Sequence, residues 1–125
     1  MFEPVLTDKA PAAIGPYSQG IVAGGFIFTS GQIPVDPLTG QIAKTAEQQA
    51  EQAIENLASV LTAAGSGLKS VVKTTVFIKD MNDFGSINEV YARYFSAPYP
   101  ARSCVEVSRL PKNVLIEVEA VAEKV

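Results

Sequence analysis

Residues 71–79, "VVKTTVFIK", decide the fold class. Six of the nine are β-branched, which stiffens χ1 and favours a pleated chain. Period-two alternation puts Val72, Thr74, Val76 and Ile78 on one face, and Lys73, Thr75, Phe77 and Lys79 on the other. Helical patterns flank this strand on both sides. From Thr45 to Ala64, the residues Ala50, Ala53, Ile54, Leu57, Leu61 and Ala64 keep helical spacing, while Glu51, Gln52, Glu55 and Ser59 face away. Thr45 with Gln48 fits a capping box, Glu47 suits the N-terminal dipole, and Gly65 suits the C-terminal cap. A second helix is predicted from about Asn82 to Phe95, with Phe84, Ile87, Tyr91 and Phe95 on its buried stripe and Pro98 beyond its end. Asn88 falls within that stripe, where a polar amide needs a partner.

Strands are expected in pairs at both ends. "YSQGIVA" (17–23) and "FIFTS" (26–30) flank Gly24-Gly25, a favoured hairpin turn. "VDPLTGQ" (35–41) turns again. The chain closes with strands at about 101–108 and 113–122. In the last, Val114, Ile116, Val118, Ala120 and Ala122 form one apolar face, and Leu115, Glu117, Glu119 and Val121 the other. The order ββ-α-β-α-ββ implies one α+β domain, residues 1–125, with two layers: two helices on one face of a mostly antiparallel or mixed sheet. The uncovered face is too apolar for comfortable exposure and too polar for a closed core. It is expected to meet another subunit.

Composition excludes several functions. There is no histidine, which removes Ser-His and Cys-His nucleophile pairs, the common zinc sites and the usual neutral-pH base. No metal or cofactor is expected, and no phosphate-binding or dinucleotide motif appears. A formal charge of −3 with no Lys/Arg cluster argues against nucleic acid. The lone Cys104 fits a reducing compartment, and no apolar run approaches a membrane span. A soluble, cytoplasmic protein is expected.

"PARSCVEVSRLP" (100–111) raises the functional question, because one strand face carries Arg102, Cys104 and Glu106. The short link "SRLPKN" predicts that the last two strands are antiparallel neighbours. Cys104 then lies opposite Glu117, and Arg102 opposite Glu119. Arg102, Cys104 and Glu117 should point the same way, off the helix-covered face. A guanidinium grips a carboxylate with paired hydrogen bonds, and a nearby carboxylate can hold a water and move protons. Together they suit water addition to a polarised carbon beside a carboxylate. The default alternatives are an ordinary Arg–Glu ion pair, a Cys104 that is merely a small buried hydrophobe, an Asn88 that caps a loop or sheet carbonyl, and turn or strand-end roles for Tyr17 and Ser30.

The segments "PAAIGPYSQG", "FTSGQIPVDPLTG", "VVKTTVFIKDMNDF" and "YPARSCVEVSRLPKNVLIEVEAVA" resemble, in order, the hallmark segments of the Rid family of imine deaminases. The likeness runs from about Pro11 to Ala122. It implies a chorismate-mutase-like α+β fold, a homotrimer whose sheets form a central barrel, and sites in clefts between subunits. The implied activity is hydrolysis of 2-imino acids such as 2-iminobutanoate and 2-iminopropanoate, released by pyridoxal-phosphate enzymes, to 2-oxo acids and ammonia. By position, the family's carboxylate-binding arginine falls on Arg102 and its water-positioning or proton-transferring glutamate on Glu117. Its backbone contacts to substrate fall on Ser103 and Cys104. Its site Tyr, Ser and Gly fall on Tyr17, Ser30 and Gly31, and its Asn on Asn88, expected to support the site from behind. The rival function is a non-catalytic module that senses 2-oxo acids in the same cleft. Ribonuclease and chaperone-like roles are also linked to relatives, and the missing histidines and acidic balance disfavour the first.

Overall fold

A computed structural model describes residues 1–125. Six strands form one sheet: β1 (Glu3–Val5), β2 (Gly20–Ala23), β3 (Phe26–Thr29), β4 (Val71–Ile78), β5 (Ala101–Glu106) and β6 (Ile116–Glu123). Two helices, α1 (Ala46–Ala63) and α2 (Phe84–Tyr94), complete the fold. The strand order is β1-β2-β3-β6-β4-β5, antiparallel throughout except for β4 and β5, which run parallel. Both helices lie on one face, so the expected two-layer α+β architecture is observed. No helix is long and apolar enough to cross a membrane.

The local signals act as the sequence predicts. The Thr45 hydroxyl accepts from the Gln48 amide at 3.1 Å and starts α1. Gly65 follows the C-cap at φ 80°, a left-handed conformation that costs glycine little. Gly24 and Gly25 turn between β2 and β3 with φ of 59° and 82°. Ala50, Ala53, Ile54, Leu57 and Leu61 seat α1 on the sheet with essentially no exposure. They meet Val76, Ile78, Ile116, Val118, Ala120 and Ala122 in one core. Each fully buried Leu or Ile there contributes about 1.5–3 kcal/mol.

Four expectations need correction. The second strand begins at Gly20, so Tyr17 lies in the loop that precedes it. β1, from the first ten residues, is an added edge strand. In β4 a bulge falls between Val71 and Lys73. Val71 therefore takes the core place expected of Val72, which is turned out and 39% exposed. The last two strands are not neighbours, because β4 lies between β5 and β6 and pairs with both. The nine residues from Val107 to Leu115 are too long for a tight hairpin and carry the chain past the end of β4. Pro111–Asn113 form a short turn there, with Lys112 and Asn113 at positive φ, and the Lys79 amide donates to the Leu115 carbonyl at 3.0 Å. The apolar β4 gains two partners this way, and the polar β5 takes the edge.

Candidate active site

The revised strand order relocates the chemistry. Register places Arg102 beside Thr74 and Cys104 beside Val76, both buried core positions of β4. It places Glu117 beside Phe77, on the opposite pleat. Arg102 and Cys104 therefore belong to the helix-covered face, and Glu117 to the open face. The expectation that all three point the same way fails. Two strand spacings, about 9–10 Å, and the thickness of the sheet separate Arg102 from Glu117 within one chain.

The first half of the site is built on β5 and α2. The Arg102 Nη1 donates to Asn88 Oδ1 at 2.8 Å. Its Cζ stands 4.7 Å from the centre of the Tyr91 ring and 5.6 Å from that of Phe84. The partly buried Asn88 on the α2 stripe thus finds its partner in Arg102 rather than in a loop or sheet carbonyl. Arg102 has no carboxylate partner, since the single ion pair in the molecule joins Arg93 to Glu51 at 3.5 Å. The ordinary ion-pair alternative does not apply. A cavity of about 430 Å³ opens beside the guanidinium, lined by Asn88, Tyr91, Ala92, Tyr99, Pro100 and Arg102. Cys104 packs half-buried against the core. Burial pushes its thiol up, against the opposing effect of the Arg102 charge, so the thiol stays protonated and is a poor nucleophile. The Ser103 hydroxyl accepts from Lys73 Nζ at 2.8 Å on the open face. Because β5 is an edge strand, its outer backbone groups are free of sheet partners.

The second half is built where β3 leaves the sheet. Phe28 pairs with Val121 and Gln32 bridges Val118, so this side has one more residue than β6 opposite. The surplus is a bulge at Ser30–Gly31. The Thr29 hydroxyl accepts from the Ala120 amide at 3.0 Å and fills the interrupted ladder. The Ser30 hydroxyl donates to the Ser18 carbonyl at 2.6 Å, and its amide to the Gln19 carbonyl at 2.9 Å. Glu117 lies directly against Gly31; a Cβ there would fall 2.6 Å from Glu117 Cδ. Only glycine leaves room for the carboxylate. Burial raises the Glu117 pKa above the usual glutamate range, and the neighbouring Glu119 charge adds to the effect. A second cavity of about 420 Å³ adjoins, lined in part by Tyr17, Gly31, Gln32, Ile33, Pro111 and Lys112.

Of the eight candidate residues, Arg102, Asn88 and Cys104 share the helix side. Tyr17, Ser30, Gly31 and Glu117 gather at the other half, and Ser103 sits on β5 with its side chain turned to the open face. No three Cys, Asp or Glu side chains converge at one point. Buried amides are the main class that sequence reasoning missed. Gln19 accepts from the Thr7 amide at 2.8 Å and donates to the Thr7 and Pro11 carbonyls at 3.0 and 2.9 Å. It ties the N-terminal loop to the Ser30 segment. Gln49 accepts from the Leu115 amide at 2.7 Å and donates to the Ala43 carbonyl at 2.8 Å, fixing the entry to β6 just before Glu117. Polar residues on an apolar stripe were the available signal for Gln49, as for Asn88.

These elements define a small α+β protein whose edge-strand arginine and bulge-packed glutamate face opposite sides of one sheet. Residues 7–124 match the model of the family described as endoribonuclease L-PSP. The chain belongs to that family, the YjgF or Rid proteins. It is 57% identical to a RutC family protein of Pyrococcus horikoshii, over 99% of both chains. It is 53% identical to the 2-iminobutanoate/2-iminopropanoate deaminase of Salmonella typhimurium, over 98% of both. E. coli TdcF, solved with bound serine, superposes with a TM-score of 0.95 at 49% identity, covering 98% of this chain and 99% of that one.

Proposed function

We propose that this protein hydrolyses small 2-imino acids, 2-iminobutanoate and 2-iminopropanoate among them, to 2-oxo acids and ammonia. It does so at sites that combine Arg102 of one copy with Glu117 of the next. The observation that carries the reading is an oriented guanidinium with no carboxylate of its own, beside an open cavity. Relatives named as 2-iminobutanoate/2-iminopropanoate deaminases at 51–53% identity supply the substrate class. A homotrimer closed through the uncovered sheet face brings the two halves together. That face presents Phe26, Phe28 and Val105, each at least 40% exposed in the single chain, an apolar surface suited to burial.

The chemistry then follows. Arg102 grips the substrate carboxylate and fixes C2. Water adds to the C=N carbon and gives a carbinolamine. Glu117 takes a proton from that water and delivers it to the nitrogen. It then takes the remaining hydroxyl proton as the carbonyl forms and the C–N bond breaks, and hands it to the departing ammonia. Iminium and water become 2-oxo acid and ammonium with no change in oxidation state, so the reaction calls for no redox group or cofactor. Burial raises the Glu117 pKa above the usual glutamate range, which strengthens it as a proton acceptor. Tyr17, Ser30 and Gly31 orient substrate or water, and the backbone of Ser103 and Cys104 supplements the carboxylate grip. The ribonuclease of the family's description fits poorly with a chain of net charge −3 and no histidine.

A sensing module is the second reading, favoured by the serine bound to TdcF, a carboxylate ligand of the kind Arg102 would hold. The test generates 2-iminobutanoate with a threonine dehydratase and traps residual imine with semicarbazide. The expected result is that the protein suppresses trapping and Arg102→Ala and Glu117→Gln do not. Binding of 2-oxobutanoate without any suppression would establish the sensor instead.

A further inference from the structure

Arg102 stands on an exposed edge strand, where a long side chain ordinarily samples many rotamers. On α2, Phe84, Asn88 and Tyr91 recur at helical spacing, and all three meet the guanidinium. Tyr91 is itself fixed. Its hydroxyl shares a 2.9 Å hydrogen bond with Thr74 Oγ1, both buried. Its ring stacks on Phe95, with centroids 4.4 Å apart and 27° between the planes. Thr74 is the one polar residue among the buried positions of β4, and it lies directly beside Arg102 in register. A Val–Phe pair would fill the same core volume without a polar group to satisfy. The Thr–Tyr pair instead pins the ring at one height and angle beneath the guanidinium.

Building on the reading of Arg102 as the carboxylate anchor, we propose that Tyr91, held by Thr74 and Phe95, is a positioning residue that sets the plane of that guanidinium. The ring takes one face of the cation, and Asn88 takes one N–H. The remaining N–H donors are left aimed into the cavity, in the coplanar geometry that a two-point grip on a carboxylate requires.

The test compares affinities of the assembled protein for 2-oxobutanoate and for its neutral analogue 2-oxobutanamide, measured by titration calorimetry. Their ratio reports carboxylate recognition and is insensitive to a general loosening of the fold. Wild type should prefer the carboxylate, and Arg102→Ala should abolish the preference. Tyr91→Leu should cut the ratio about 2- to 30-fold while changing amide affinity less than about twofold. Tyr91→Phe and Thr74→Val should each cut it at least about twofold. These two decide the matter if the leucine variant does not fold. If Arg102→Ala abolishes the preference but the Tyr91 and Thr74 variants keep the wild-type ratio, the positioning role is wrong and the anchor stands. If Arg102→Ala keeps the preference, the anchor is wrong and the positioning role falls with it.

Discussion

The two halves of the site are built by different means. Arg102 is held by side chains: two rings, an amide and, behind them, a Thr–Tyr hydrogen bond. Glu117 is held by backbone, pressed against a glycine at a bulge. The first arrangement fixes direction, which a planar two-point grip needs. The second withdraws a carboxylate from water, which raises its affinity for a proton. The difference teaches that a directed cation and a desolvated carboxylate are divided between the faces of one sheet; on the proposed function, a single copy then holds two incomplete sites.

Substitutions on the two sides should separate these roles. Glu117→Gln should have the largest effect, lowering kcat about 10²- to 10⁴-fold with binding of 2-oxobutanoate retained, as measured by coupled assay and calorimetry. Because burial raises the Glu117 pKa, the acid limb of kcat/KM should lie above the ordinary glutamate value of about 4.3 and vanish in this variant. The same shift bears on stability. A carboxyl whose folded pKa is raised favours folding most below its unfolded value, and that contribution is lost as pH rises through the folded value. Glu117→Gln should therefore gain stability relative to wild type across that window in denaturant titrations at stepped pH.

Arg102→Ala should act on binding instead, weakening 2-oxobutanoate about 10- to 100-fold. Equal losses of affinity in both variants would erase the contrast between the halves. Gly31→Ala comes next. The added methyl meets the free end of the Glu117 side chain, which can swing aside, so stability should change by less than about 1.5 kcal/mol. kcat should fall about tenfold or more as the carboxylate leaves its place. The smallest effect belongs to a control remote from both halves. Thr45→Ala removes the α1 cap and should cost about 1 kcal/mol, read by denaturant midpoint, with kcat/KM unchanged.

Much of this was legible in the sequence, and the failures have specific causes. The helices, caps and hairpin turn come from local chemistry that one chain segment carries by itself. The apolar alternation of Val114 to Ala122 likewise locates the buried face of β6. Strand neighbours are a different matter. Residues 101–108 and 113–122 are close in sequence, yet β4 pairs with both because its apolar, β-branched run needs two partners, whereas "ARSCVE" tolerates an edge. From that one misplaced adjacency came the error of putting Arg102 and Glu117 on one face. The Val72 error had a smaller cause, a bulge that shifts the pleat by one residue. The pairing of Asn88 with Arg102 was half visible, since an amide on an apolar stripe declares that it has a partner without saying which.

The central claim is that Arg102 of one copy works with Glu117 of another. Arg102→Ala and Glu117→Gln chains, each inactive alone, can be co-expressed with distinct tags and the mixed oligomers isolated and assayed. If sites form between copies, about one third of the sites in each mixed trimer carry wild-type residues at both positions, and activity should return to about that fraction of the wild-type value. Mixed oligomers as inactive as their parents would contradict the account.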